Sequence, residues 1–148
     1  MAKTSKKQKN IEIQDKKAKK AGEIESQKPS WRFSKMDKEY MSLEKTEEET
    51  LRIILSALKS LESQTWNEIK QSISKNGRKS HFIAVKDLCK EAQDRFNAMK
   101  LPEISDDEIF SLRLAGKIRV FGLFLGSIFN IIWIDPNHEI CPSHKKGT

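Results

Sequence analysis

Residues 109–135 read IFSLRLAGKIRVFGLFLGSIFNIIWID. β-Branched and aromatic residues recur through this stretch and are interrupted only at Ala115-Gly116 and Leu125-Gly126, the pattern of three short antiparallel strands. Each interruption supplies the glycine that a tight hairpin needs for positive φ. In the first strand Phe110, Leu112 and Leu114 share one face and leave Ser111 and Arg113 on the other. In the second, Ile118, Val120 and Gly122 oppose Arg119, Phe121 and Leu123. A glycine in mid-strand predicts a bulge or the close approach of another backbone. The third strand is apolar on both faces and therefore belongs inside the sheet. It delivers the polar turn Asp135-Pro136-Asn137-His138-Glu139 to one rim, followed by Cys141-Pro142-Ser143-His144-Lys145-Lys146.

Upstream, the pattern turns helical. Thr46 followed by Glu47, Glu48 and Glu49 reads as an N-cap with acids at the positive end of the dipole. Leu51, Ile54, Leu55, Leu58 and Leu61 then form an apolar stripe, giving a helix over residues 47–62. Thr65 caps a second, shorter helix carrying Trp66, Ile69 and Ile73, which Asn76-Gly77-Arg78-Lys79 stops. Ser80 to Ala84 reads as an extended bridge. Val85, Leu88, Cys89, Ala92, Phe96 and Met99 mark a third helical face, with Cys89 as a small buried residue, and Leu101-Pro102 ends it. Residues 103–108 form an acidic connector. Ser30 to Ser34 alternates in the manner of a strand, with Trp31 as a core anchor.

Composition sets the outer limits. The 148 residues suffice for one domain, and 36% of them are apolar, within the soluble globular range. No run approaches the roughly 18 apolar residues of a membrane span. The basic start has no apolar segment behind it, so no secretory signal can be drawn and a cytoplasmic location is expected. Cys89 and Cys141 match no metal or redox spacing and read as free thiols. Cys141, His138 and His144 offer three ligands of mixed spacing where zinc takes four, so no metal and no cofactor is expected.

The net charge of +7 is unevenly placed: residues 1–28 hold nine Lys against Glu12, Asp15, Glu23 and Glu25, leaving +5 there. With few large apolar residues, this stretch cannot offset its ordering entropy, and a disordered basic tail is expected over 1–28. A single α+β domain over 29–148 follows, about three helices packed on a small, mainly antiparallel sheet that ends in the meander.

Two groups of residues carry candidate chemistry. If the hairpin turns at 115–116, Arg113 and Arg119 come within reach on one sheet face, and with Lys117, Lys145 and Lys146 they suit a phosphate-bearing partner. Pairing with Asp106, Asp107 and Glu108 is the competing reading of the two arginines. In the Asp135–Glu139 loop, Asp135 and Pro136 read as turn chemistry, while His138 has the titration range of a general acid or base. No glycine-rich phosphate loop, nucleophile elbow or paired metal motif occurs.

The run from Leu112 to Val120, through Arg113, Gly116 and Arg119, resembles the start of the C-terminal sheet in the RelE/ParE toxin superfamily. The segment with Trp133, Asp135-Pro136, His138 and Pro142 also resembles uncharacterised bacterial and phage-borne proteins. The first resemblance implies an RNA-directed protein, an endoribonuclease toxin of a toxin-antitoxin pair that works without metal on RNA or the ribosome. Arg119 and His138 would then be catalytic, and Arg113 a phosphate contact. Tyr40 is the sole tyrosine and lies far from the C-terminal strands in sequence, a departure from that superfamily. Two other classes stay open: a non-enzymatic nucleic-acid- or protein-binding module of mobile-element origin, and an antitoxin or immunity-like partner.

Overall fold

The computed structural model describes residues 22–74, 77–101 and 107–142. Five strands form one mixed sheet: β1 (Ser30–Arg32), β2 (His81–Ala84), β3 (Glu108–Arg113), β4 (Arg119–Leu125) and β5 (Ile128–Asp135), in the order β1-β5-β4-β3-β2. Strands β3 to β5 are the expected antiparallel meander, β2 adds antiparallel to β3, and β1 runs parallel to β5. The expected α+β architecture is the one observed.

Helices cover both faces. On one side α1 (Glu48–Leu61) and α2 (Trp66–Gln71) bury Ile54, Leu58, Trp66 and Ile69 against Phe110, Leu112, Val120 and Phe129. The Trp66 indole donates to the Ser127 carbonyl at 2.9 Å, and Trp31 meets it edge-on at 5.7 Å, so Trp31 is a core residue. On the other side a 3-10 turn (Val85–Asp87) and α3 (Lys90–Met99) pack Val85, Leu88, Ala92 and Phe96 against Ile109, Phe121, Ile132 and Trp133. Among the described residues no helix is long and apolar enough to cross a membrane.

Several local expectations are corrected. Thr65 does cap α2 by accepting from the Glu68 amide, but Thr46 donates to the Ser42 carbonyl and Glu47 occupies the N-cap of α1. Leu55 is 59% exposed, because the stripe that meets the sheet is Ile54 and Leu58 with the half-buried Leu51 and Leu61, and Leu55 lies outside it. Ile73 lies outside α2, bridged to Lys79 and exposed. The helix drawn from Val85 is split, since Leu88 is extended and Cys89 is the half-buried N-cap of α3. Residues 22–28, assigned above to the tail, are attached to the body: Glu25 pairs with Lys70 at 3.4 Å and the Gln27 carbonyl accepts from the Trp66 amide. The rest of the expected tail, residues 1–21, lies outside the described residues.

Two features set the geometry of β5. Phe121 faces Trp133 and Gly122 faces Ile131, which leaves Ile132 as an extra residue and shifts the register. Residues Phe129 and Ile131 point to the α1 side before this bulge; after it Trp133 points to the α3 side and Ile134 to the α1 side. At Gly122 a Cβ would press on the Asn130 carbonyl and lie 2.7 Å from Phe129 Cζ.

The second feature is Asp37, whose side chain is buried. Its carboxylate accepts from Arg95 Nη2 at 2.6 Å and Nε at 2.9 Å, from Trp133 Nε1 at 3.1 Å, and from the amides of Glu39 and Tyr40 at 3.0 and 3.2 Å. Burial alone would raise its pKa, but Arg95, the Glu39 amide, Trp133 and the Tyr40 amide together hold it at about 2, below the ordinary 3.8.

Gly122→Ala is expected to lower stability by about 3 kcal/mol or more in urea unfolding, since the intruding atom meets backbone as well as a ring. Asp37 contributes stability fully present above pH 3.8 and lost as pH falls toward 2; by linkage this amounts to about 2 kcal/mol. Unfolding followed from pH 7 to pH 2 should show that loss in the wild type and not in Asp37→Asn, which starts less stable at pH 7.

Candidate functional site

The bulge decides what stands at one end of the α3 side of the sheet. Two cross-strand rows lie there on the same face. One consists of Arg113, Arg119 and Asp135; the next, about 7 Å further along the strands, consists of His81, Ser111, Phe121 and Trp133. Two loops wall this end: residues 77–80 ahead of β2, and residues 136–142 after β5. Between them is a cavity of ≈ 410 Å³ lined by Arg78, Lys79, His81, Ser111, Arg119 and His138, with Ile83, Phe121, Cys141 and Pro142 as its apolar part.

Arg119 is 3% exposed. Its Nη1 donates to the carbonyls of Gly116 at 2.8 Å and Ile118 at 3.0 Å, which fixes the guanidinium and leaves its other donors open. Gly116 reaches this position with φ +54° at the hairpin tip. Among the described residues no carboxylate forms an ion pair with Arg119. Asp135 sits opposite on β5, yet its two oxygens accept from the amides of Glu139 and Ile140 at 2.9 and 2.8 Å. Burial lowers the Arg119 pKa first, and the Arg113 and Arg78 charges add to this against the pull of Asp135. A guanidinium keeps its proton in such surroundings. The result is a buried, immobilised cation whose remaining donors suit an anion.

His138 stands on the opposite wall with φ +59°, a left-handed conformation rarely adopted by a residue with a side chain. Asp135 holds it there by folding the next two amides back on itself. The His138 pKa is lowered, first by burial and then by Arg119, with Asp135 opposing and Arg78 and His81 adding to the fall. The imidazole is neutral at pH 7. His81 Nδ1 lies 3.0 Å from the Lys79 carbonyl. A carbonyl only accepts, so Nδ1 carries the hydrogen, and the tautomer this selects has its lone pair at Nε2.

The structure therefore brings Arg119 and His138 together, as required of a joint site. Arg113 is the cross-strand partner of Arg119 and contributes charge without lining the cavity. Its competing assignment, an ion pair with Asp107 or Glu108, is not formed, and Asp106 lies outside the described residues. Lys117 is exposed at the hairpin tip and does not line the cavity. Lys145, Lys146 and His144 lie outside the described residues. Sequence reasoning missed Arg78, Lys79, His81 and Ser111. The Asn76-Gly77-Arg78-Lys79 run was legible as a turn, but nothing local showed that it folds over the same sheet end as His138.

The described lining carries five basic side chains and no carboxylate. It can hold a phosphate or sulfate, and it sets two imidazoles beside that anion. Among the described residues no group of three or more His, Cys, Asp or Glu is arranged to hold a metal ion.

Residues 24–148 match the family described as Uncharacterised protein UU032, and the chain belongs to that family. No curated protein and no solved structure matches the chain. All residues that line the cavity fall inside the matched span.

An anion in the cavity offsets the repulsion between Arg119 and His138, so its binding should draw a proton onto His138. Sulfate, which does not titrate in this range, should bind up to about tenfold more tightly at pH 5.5 than at pH 7.5 by calorimetry. His138→Asn keeps a residue that tolerates positive φ and should flatten most of that dependence.

Proposed function

We propose that the protein is an RNA-directed, RelE-like endoribonuclease that works without metal, with its phosphodiester held in the Arg119 cavity. The observation that carries this reading is a buried arginine, without a paired carboxylate among the described residues, that lines one cavity with two histidines. The class of protein comes from the Arg113, Gly116 and Arg119 resemblance, and the chemistry from the cavity.

In this reading Arg119 donates to the non-bridging phosphate oxygens, where charge grows in the transition state. Arg78 and Lys79 supply further positive charge from the facing loop. His81, with Nδ1 held by the Lys79 carbonyl, accepts the ribose 2′-hydroxyl proton at Nε2. The 2′-oxygen bonds to phosphorus as the bond from phosphorus to the 5′-oxygen breaks. His138, protonated once the anion is bound, gives its proton to the departing 5′-oxygen. The products are a 2′,3′-cyclic phosphate and a 5′-hydroxyl. Arg113 acts at a distance by its charge, and Lys117, Lys145 and Lys146 are candidate contacts for flanking phosphates. A toxin role, with the ribosome as the place of action and a cognate antitoxin as the neutralising partner, extends the same proposal.

The test is incubation of the full chain with single-stranded RNA in the presence of a chelator, with the new ends mapped. Cyclic phosphate and 5′-hydroxyl ends are expected. His81→Ala, at an exposed edge position, should slow cleavage by about 10²- to 10⁴-fold. Arg119→Ala should abolish it and relieve any growth arrest on expression, with Arg119→Lys restoring part. RNA that binds in an Arg119-dependent way but stays intact would move the protein to the non-enzymatic binding class.

A further inference from the structure

The cavity is not uniformly basic. Its lining combines the basic Arg78, Lys79 and Arg119 with the apolar Ile83 and Pro142. Ile83 is half-buried on the edge strand β2 and Pro142 is exposed, so these two supply the accessible apolar surface, while Phe121, 1% exposed, closes the cavity beneath them. At ≈ 410 Å³ the space falls at the lower end of small-molecule sites, which span about 300–1,000 Å³. That admits a single nucleotide and excludes a base pair with its two backbones.

We infer that the cavity takes one unstacked nucleotide, with the phosphate on Arg119 and the base against Ile83 and Pro142. This rests on the reading of the cavity as a phosphodiester site and adds its substrate class. A base reaches an apolar floor only after leaving its helical stack, and the cost of extrusion is least for a strand that is already single. Single-stranded RNA is therefore the substrate and duplex RNA is excluded. The described lining holds no Asp, Glu, Asn or Gln to accept or exchange paired hydrogen bonds with a base edge. Apolar contact and stacking are tolerant of base identity. Recognition is thus of strand and phosphate, with little preference among the four bases.

Calorimetry with four probes tests this on the full chain: inorganic phosphate, uridine 3′-phosphate, adenosine 3′-phosphate, and a short RNA in single-stranded or duplex form. Both nucleotides should bind at least about tenfold more tightly than inorganic phosphate, within about threefold of each other, and single-stranded RNA should outcompete its duplex. Ile83→Thr, which retains the β-branch of a strand residue, should narrow the ratio of nucleotide to phosphate. Equal affinity for nucleotide and phosphate, a strong preference for one base, or preference for duplex would each overturn the inference. The readout is binding, so nucleotides that bind as described while RNA is left uncut refute the nuclease reading and leave this one standing.

Discussion

The fold depends on one carboxylate. Asp37 receives five hydrogen bonds from three places in the chain: its own turn at Glu39 and Tyr40, the Arg95 side chain on α3, and the Trp133 indole on β5. Burying a carboxylate is unfavourable by several kcal/mol unless its lone pairs are met, and here they are. The contact joins the segment after β1 to the inner strand and to the helix that covers it. The backbone repeats the linkage, since the Asp37 amide donates to Ile132 and the Ile134 amide donates to Met41. Segment 37–41 thus continues along β5 where the parallel pairing of β1 stops.

The same stretch of β5 places the candidate chemistry. Without the extra residue at Ile132, Trp133 and Asp135 would point to the α1 side, away from Arg119 and from Asp37. The bulge turns both to the α3 side, and Gly122 lets the two backbones approach closely enough for it to form. Both Asp135 oxygens then accept from backbone amides, and among the described residues Arg119 has no ion-pair partner. A structural ion pair would have closed the site; a capping carboxylate leaves it open.

The meander was legible because its alternation and glycine breaks are local properties, and Gly122 announced its own role. The helices were legible where a stripe met a flat sheet, and misread at the margins, as with Leu55 and Ile73. What lay beyond the sequence was juxtaposition. Asp37 stands in the charged run Lys35–Glu39 and looks solvated, because its partners lie 58 and 96 residues away. His81 sits in an unremarkable apolar bridge, and only the pairing of β2 with β3 sets it beside Ser111. Arg119 alternates as an outward strand residue, yet the flanking loops cover it. Periodicity assigns a face; it does not say what will be folded over that face.

His138 carries a further implication for anyone altering this protein. Its backbone stays in a left-handed conformation that disfavours most side chains with a β-carbon, at a cost of about 1 kcal/mol or more. Glycine would relieve that strain and is the first choice of any effort to make the chain hardier. It would also delete the imidazole that faces Arg119. Endurance and the candidate chemistry compete at this single position, so a screen that selects only for heat resistance would be expected to discard the histidine.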